Sequence, residues 1–358
     1  MAIIDHNSRG RLTRDLSISF LIYSLPVVAI FLYFKLTNGV VAESHLTLPS
    51  FLEFTKPAFE NIRTWGLTAF MLILGTIEFI AGLYDDEWTG EERKVDIVCF
   101  LAPKLLLPPV IAFFSLTALP YLIPNLANSL SWVPFWGGFF LIAIADDLTQ
   151  YWYHRLHHQV PFLWRFHRTH HSAPYMGMAM ASRQNFIYTV FFSQIYLTAT
   201  LTYLGLGLPA LFVLVIKSFI TLGAHSSIKW DKPFYKYRIL HPIAWVLERL
   251  ISTPATHHAH HADTSGDGVG HFKGNFGNMF FIWDVIFGTA LITRKYPKSY
   301  GMKSYKQEEW YAQFLWPIFK SKKEGSALAE GVLAVPVRAK AETVLASAPI
   351  YQEEPVQV

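Results

Sequence analysis

The sequence predicts an all-α fold, an integral-membrane helical bundle of about four to six spans with a histidine-rich helical cap on the cytoplasmic side. Three observations predict it. Of 358 residues, 52% are hydrophobic and 16% aromatic, while only 16% are charged; a soluble globule usually carries about 25% charged residues. Several apolar stretches approach the length needed to cross a bilayer. Twelve of the 15 histidines fall between residues 154 and 261, in clusters with helical spacing.

The apolar stretches are 17–37, 65–84, 97–122, 133–152, 186–204 and 208–224. At about 1.5 Å rise per residue each is close to the thickness of a hydrocarbon core. Asp5, Arg9, Arg11, Arg14 and Asp15 precede the first stretch, and no small-residue cleavage site follows it, so it reads as a retained anchor. Lys104, Pro108 and Pro109 interrupt the third. The last two are joined only by Gly205, Leu206 and Gly207, which allows either two spans or a re-entrant hairpin. With the N-terminus inside, the inner loops hold Arg9, Arg11, Arg14, Arg93, Lys94, Arg155, Arg165, Arg168 and Arg183, whereas 123–132 and 205–207 hold no Lys or Arg. That bias puts the histidine clusters on the cytoplasmic face. The segment 38–64 runs against it, with Lys56 and Arg63 among three glutamates.

The chain divides into an N-terminal membrane region (1–132), a catalytic region (133–292), a cytoplasmic C-terminal segment (293–322) and a tail (323–358) rich in Ala, Val, Glu and Pro, expected to be disordered. The net charge of +4 comes from Lys and Arg scattered beside apolar blocks; no basic stripe suggests nucleic acid. Cys99 is the single cysteine, so an internal disulfide and a cysteine-held metal are both excluded, and any metal must be held by nitrogen and oxygen. Asp263–Gly268 starts like a calcium loop, but Gly274 stands where a bidentate Glu is needed, and it reads as a turn.

In a helix, residues three and four apart share a face. His154 and His158 are four apart; His167, His170 and His171, and again His257, His260 and His261, are spaced by three and four. Each cluster can aim two or three imidazoles at one point. Eight imidazoles exceed what one tetrahedral zinc can use, so two metal ions are implied. Imidazole suits zinc, copper, iron and nickel alike. A nitrogen-rich binuclear site at the rim of a bilayer suits redox attack on an unactivated C–H bond of a lipid; a metal transporter or metal-binding protein is the alternative, but its ligands would be expected near mid-membrane. Asp147 lies on one helical stripe with Tyr151, His154 and His158, and is expected to accept the free ring N–H of a ligating histidine. His6, His45, His157, His241, His258 and His271 read as hydrogen-bonded interfacial residues.

The runs Asp147-Leu-Thr-Gln-Tyr151-Trp152-Tyr153-His154-Arg155-Leu-His157-His158, His167-Arg-Thr-His170-His171-Ser172 and Thr253-Pro254-Ala-Thr-His257-His258-Ala-His260-His261 resemble the fatty acid hydroxylase/sterol desaturase superfamily. So do Asn275-Phe276-Gly277 and Trp283-Asp284-Val-Ile-Phe287-Gly288-Thr289. The resemblance covers roughly 140–290. It implies a di-iron centre that uses O2 and two electrons to hydroxylate or desaturate a lipid. It adds His225 as a ninth metal ligand, with His241 as the substitute, and points to Asn275 beside Asp147 as catalytic residues. The usual Asn-Tyr-Gly of such proteins is Asn275-Phe276-Gly277 here, which removes a hydroxyl. No GxGxxG fingerprint, iron–sulfur cysteines or haem module occurs, so electrons are expected from a separate NAD(P)H-linked electron-transfer protein. Arg155, Arg165, Arg168 and Arg183 are candidates to dock it, or else to hold carboxylates around the metals.

Overall fold

Helix α1 (Gly90–Phe113) starts where the hydroxyl of Thr89 accepts the N–H of Glu92, and Glu91 and Glu92 place negative charge in its first turn. It continues through a π-helical turn, Phe114–Ala118, into α2 (Leu119–Leu122). This computed structural model describes residues 73, 75–78, 88–263, 266–302, 305 and 307–329. Among them the fold is all-helical, and the bridges Ile251–Phe280 and Ala262–Tyr300 belong to no strand.

Helix α3 (Phe135–Gln159) is the central element, with α4 (Pro161–His171), α6 (Ser193–Leu201) and α7 (Gly207–His225) packed on it. Pro161 forces Val160 into an extended conformation (φ −99°, ψ 114°), which ends α3 and starts α4 at once. That sharp corner folds the α4 histidines back on those of α3. After α5 (Phe186–Val190), the chain runs along α3 and returns: Gln194 bonds Gln150, Thr198 bonds Asp146, Leu206 and Pro209 crowd Gly138, and Lys217 comes back to Asp146. The reversal is at Gly205, whose φ of +108° and closeness to Ser131, 2.9 Å from where a Cβ would sit, leave no room for a side chain.

By length and hydropathy, two stretches among the described residues can cross a membrane, Gly90–Leu122 and Phe186–His225. The expected spans 186–204 and 208–224 are thus one run doubled back as a hairpin. The outgoing leg, Ser193 to Leu206, rises only about 20 Å against a hydrocarbon core of about 30 Å. The expected span 133–152 is helical within α3 but carries the buried Asp146 and Asp147. The stretch 17–37 and most of 65–84 lie outside the described residues.

Beyond α7 come α8 (Lys232–Lys236), α9 (His241–Leu250), α10 (Pro254–His260), α11 (Ile282–Ile286) and α12 (Trp310–Leu315). Helix α10 is short but firmly started: Thr253 and Thr256 form a reciprocal capping box with Pro254 at the first position. Helix α12 packs on α1. Leu328 (1% exposed), within the tail expected from 323, is inserted beside Phe166, Tyr188, Ala312 and Trp316. Burying such an apolar side chain is worth about 1.5–3 kcal/mol. Residues 330–358 lie outside the described residues.

Candidate metal centre

The corner at Val160, the end of α7 and the short α10 bring nine histidines into two groups. His154, His158, His167, His171 and His260 form one; His170, His225, His257 and His261 form the other. Within each group one ring nitrogen of every histidine lies within 4.8 Å of those of the others. Each of the two HxxHH runs serves both groups. On α4 the i, i+4 pair His167/His171 joins the five-histidine group and His170 points to the other; on α10 and its C-cap, His257/His261 join the four-histidine group and His260 crosses over. The groups therefore interlock, and the His171 and His261 rings stack at 4.3 Å between centroids.

The tautomers follow from the backbone. Nδ1 of His154 donates to the carbonyl of Phe276 (2.7 Å), and Nδ1 of His260 to that of Gly274 (2.8 Å). Each imidazole then turns an unprotonated Nε2 inward, and those two nitrogens face each other at 3.1 Å. In the second group Nδ1 of His170 donates to Arg183 O (3.2 Å) and Nδ1 of His225 to Thr221 O (2.7 Å), while their Nε2 atoms meet at 3.3 Å. Nε2 of His257 lies 2.9 Å from Nε2 of His225. Lone pairs opposed at such distances repel unless a cation lies between them. Both ring nitrogens of His158, His167 and His171, Nδ1 of His257 and Nε2 of His261 are buried without any hydrogen-bond partner. Each would cost about 1–3 kcal/mol if left so. Burial first, and neighbouring imidazoles second, push His167, His170, His171, His257 and His261 well below the usual histidine pKa. Burial does the same to His260. These rings are neutral at pH 7 and able to donate to metal. The donor set, all nitrogen and all neutral, fits two transition-metal ions.

The carboxylate and amide singled out from sequence act differently from expectation. Asp147 meets no histidine: it accepts the backbone N–H of Met279 (3.2 Å) and Phe280 (2.9 Å) and the indole N–H of Trp283 (3.1 Å). It lies two turns along α3 from His154, too far to reach that ring, and instead ties the 279–283 segment to α3. Asn275 is engaged with backbone. It has φ +56°, its amide donates to Thr256 O and Leu291 O, and its Oδ1 accepts Leu291 N–H, so every polar atom of the side chain is committed to backbone.

Asp284 was missed as a separate signal, although its motif was visible. It accepts the N–H of Phe276 (2.8 Å) and Gly277 (2.6 Å) and the Thr289 hydroxyl (2.6 Å), and so holds the loop whose carbonyl fixes His154. Burial raises its pKa to about 6. The Phe276 ring packs on His154, His158 and His260, a role that needs no hydroxyl.

Of the remaining histidines, His157 donates from Nδ1 to Tyr153 O, His241 meets Tyr235 O and His271 meets Thr289 O. His258 bridges Tyr300 and Ser226 O. None of the four belongs to either group. His6 and His45 lie outside the described residues. Arg168 pairs with Glu308, and the fully buried Arg183 with Glu92 and Asp96, so these two arginines hold carboxylates and cannot meet a docking protein. A cavity of about 900 Å³ opens beside His158, with Trp164 and Phe272 on its wall and Asp263 and Lys273 on its rim.

The sequence profile of the fatty acid hydroxylase family matches residues 139–289, the stretch that contains all nine grouped histidines. Alkylglycerol monooxygenase of Xenopus tropicalis is 27% identical over 162 residues, which are 45% of this chain and 32% of that relative. The chain thus spans about a third of the length of the curated relative it matches. No solved structure matches.

Proposed function

We propose, from the premise that the chain belongs to the fatty acid hydroxylase/sterol desaturase superfamily, that it is an O2-dependent di-iron oxidoreductase acting on a C–H bond of a membrane lipid. The observation that carries this reading is the pair of opposed Nε2 contacts, His154–His260 at 3.1 Å and His170–His225 at 3.3 Å. Each needs a cation, and the groups adjoin. Iron so bound would supply the redox chemistry of O2 activation.

The protein's own contribution is holding and orienting. His154, His158, His167, His171 and His260 would hold one ion, and His170, His225, His257 and His261 the other. Carbonyls of Phe276, Gly274, Arg183 and Thr221 fix four of the ring tautomers. The apolar hairpin α6–α7 delivers His225 from the lipid side, which suits a substrate arriving from the bilayer. The histidine groups then lie at the cytoplasmic rim, where the cavity at His158 gives reductant and protons a polar approach. For hydroxylation, one oxygen atom enters the C–H bond and the other leaves as water, with two electrons from a separate electron-transfer protein and two protons from solvent. The monooxygenase relative favours hydroxylation over desaturation. Among the lipid classes the sequence leaves open, sterol, sphingoid base, fatty acyl chain, alkylglycerol and carotenoid-like terpenoid, it favours an alkylglycerol.

The test is isotopic. Cells producing the wild type or His170→Ala are grown under 18O2 and their lipids compared. A lipid carrying one 18O atom only with the wild type is the expected result; identical lipid profiles would sink the proposal.

A further inference from the structure

The four-histidine group is held in place by residues that precede the family segment 139–289. Glu78, fully buried, accepts the Ser226 hydroxyl (2.6 Å) and the Ser227 N–H (2.9 Å) on one oxygen and the Met178 N–H (2.7 Å) on the other. It thereby clamps the two residues that follow His225. Ser226 O in turn meets Nε2 of His258 (3.0 Å), on the helix that carries His257. A second clamp comes from α1. Glu92 and Asp96 hold the guanidinium of Arg183, whose Nε and Nη2 reach Thr169 O (3.1 Å), Ser172 Oγ (2.9 Å) and Gln313 Oε1 (3.0 Å). The carbonyl of that same Arg183 takes the Nδ1 proton of His170. In the five-histidine group, Asp284, Phe276 and Gly274, which fix His154 and His260, all lie inside the family segment, and the Arg183 clamp reaches that group only through the α4 backbone and Ser172, which flank His170 and His171.

We infer that the segment before the family domain completes the second metal site, with Glu78, Glu92 and Asp96 as its positioning residues. A buried carboxylate with three donors cannot be replaced by an amide without turning an N–H toward an N–H, and loss of such outer partners typically costs about 10- to 100-fold in metal affinity. The Glu78 clamp acts beside His225 alone, whereas the Arg183 clamp fixes His170 directly and steadies α4 as a whole, so its effect is greater on the four-histidine group. The inference rests on the two-metal reading above.

The test is Co(II) titration of the metal-free, detergent-solubilised full chain, followed by absorption, with His154→Ala and His225→Ala identifying the two binding phases. Wild type takes up two equivalents. Glu78→Gln loses affinity by about 10- to 100-fold in the phase lost in His225→Ala and keeps the other phase, and Glu92→Gln weakens the phase lost in His225→Ala more than the other. Glu91→Gln, on the exposed side of the same helix turn, changes neither. Equal weakening of both phases, or no change, overturns the inference. Uptake of a single equivalent by wild type overturns the two-metal reading itself, and this inference with it. Should Glu78→Gln fail to fold, Ser226→Ala, which removes only the hydroxyl leg, must still weaken the His225 phase; an unchanged phase overturns the inference equally.

Discussion

The two histidine groups share the two HxxHH runs yet are supported differently. The five-histidine group leans on a loop within its own domain, where Asp284 grips the Phe276–Gly277 backbone and Phe276 O grips His154. The four-histidine group leans on buried ion pairs and carboxylates from elsewhere in the chain, on Arg183 with Glu92 and Asp96 and on Glu78. A backbone carbonyl set by a loop is a local device, whereas a buried carboxylate needs partners from several segments to offset its desolvation. Change outside the domain should therefore weaken the second group more than the first.

The largest break comes from the ligands. His154→Ala and His170→Ala are each expected to remove one metal and to lower turnover by about 100-fold or more, checked by metal content and product formation. Asp284→Asn is the complementary probe on the five-histidine side. It places an amide among two N–H donors and the Thr289 hydroxyl, and should weaken metal binding in the His154 phase by about 10- to 100-fold and destabilise the protein by about 1–3 kcal/mol. If the His225 phase weakens instead, the division between the groups is wrong. Asp147→Asn should cost a similar stability without weakening either metal phase, since it supports Met279, Phe280 and Trp283 and no histidine.

Protonation gives a milder test. Burial pushes His258 down to about 3. A histidine whose folded pKa lies below its unfolded value of about 6.5 gives up protons on folding. Its contribution to stability is whole above about 6.5 and is lost as pH falls from there toward 3. The buried imidazoles of α4 and α10 shift in the same direction, so the melting temperature of the metal-free protein should drop between pH 7 and pH 5. A flat profile would contradict their burial as neutral rings. The smallest effects are expected at His157→Ala and His258→Ala, which lose packing and hydrogen bonds worth about 1–2 kcal/mol but should retain both metals.

Eight of the nine grouped histidines were legible in the sequence because helical spacing is a local property: i, i+4 pairs share a face wherever the helix goes. His225 was reached only through its resemblance to a family position. The partition of ligands was not legible, since the assignment of His170 and His260 to the opposite group from their box neighbours depends on how α4 meets α10. Asp147 was misread for the same reason. Its stripe with His154 is real, but the partner it finds comes from residues 279–283, more than 130 positions away. The all-helical fold was visible in hydropathy, while the hairpin at Gly205 was only one of two alternatives, because three linking residues fit both. Residues outside the recognised stretch, such as Glu78, carried no pattern at all: a lone acid in an apolar run shows its purpose only when its three donors are in place.

The most direct test of the central claim is the iron content of the full chain purified in detergent. Nine neutral imidazoles in two interlocked groups should hold about two iron atoms per chain, and about one zinc with no iron would contradict it.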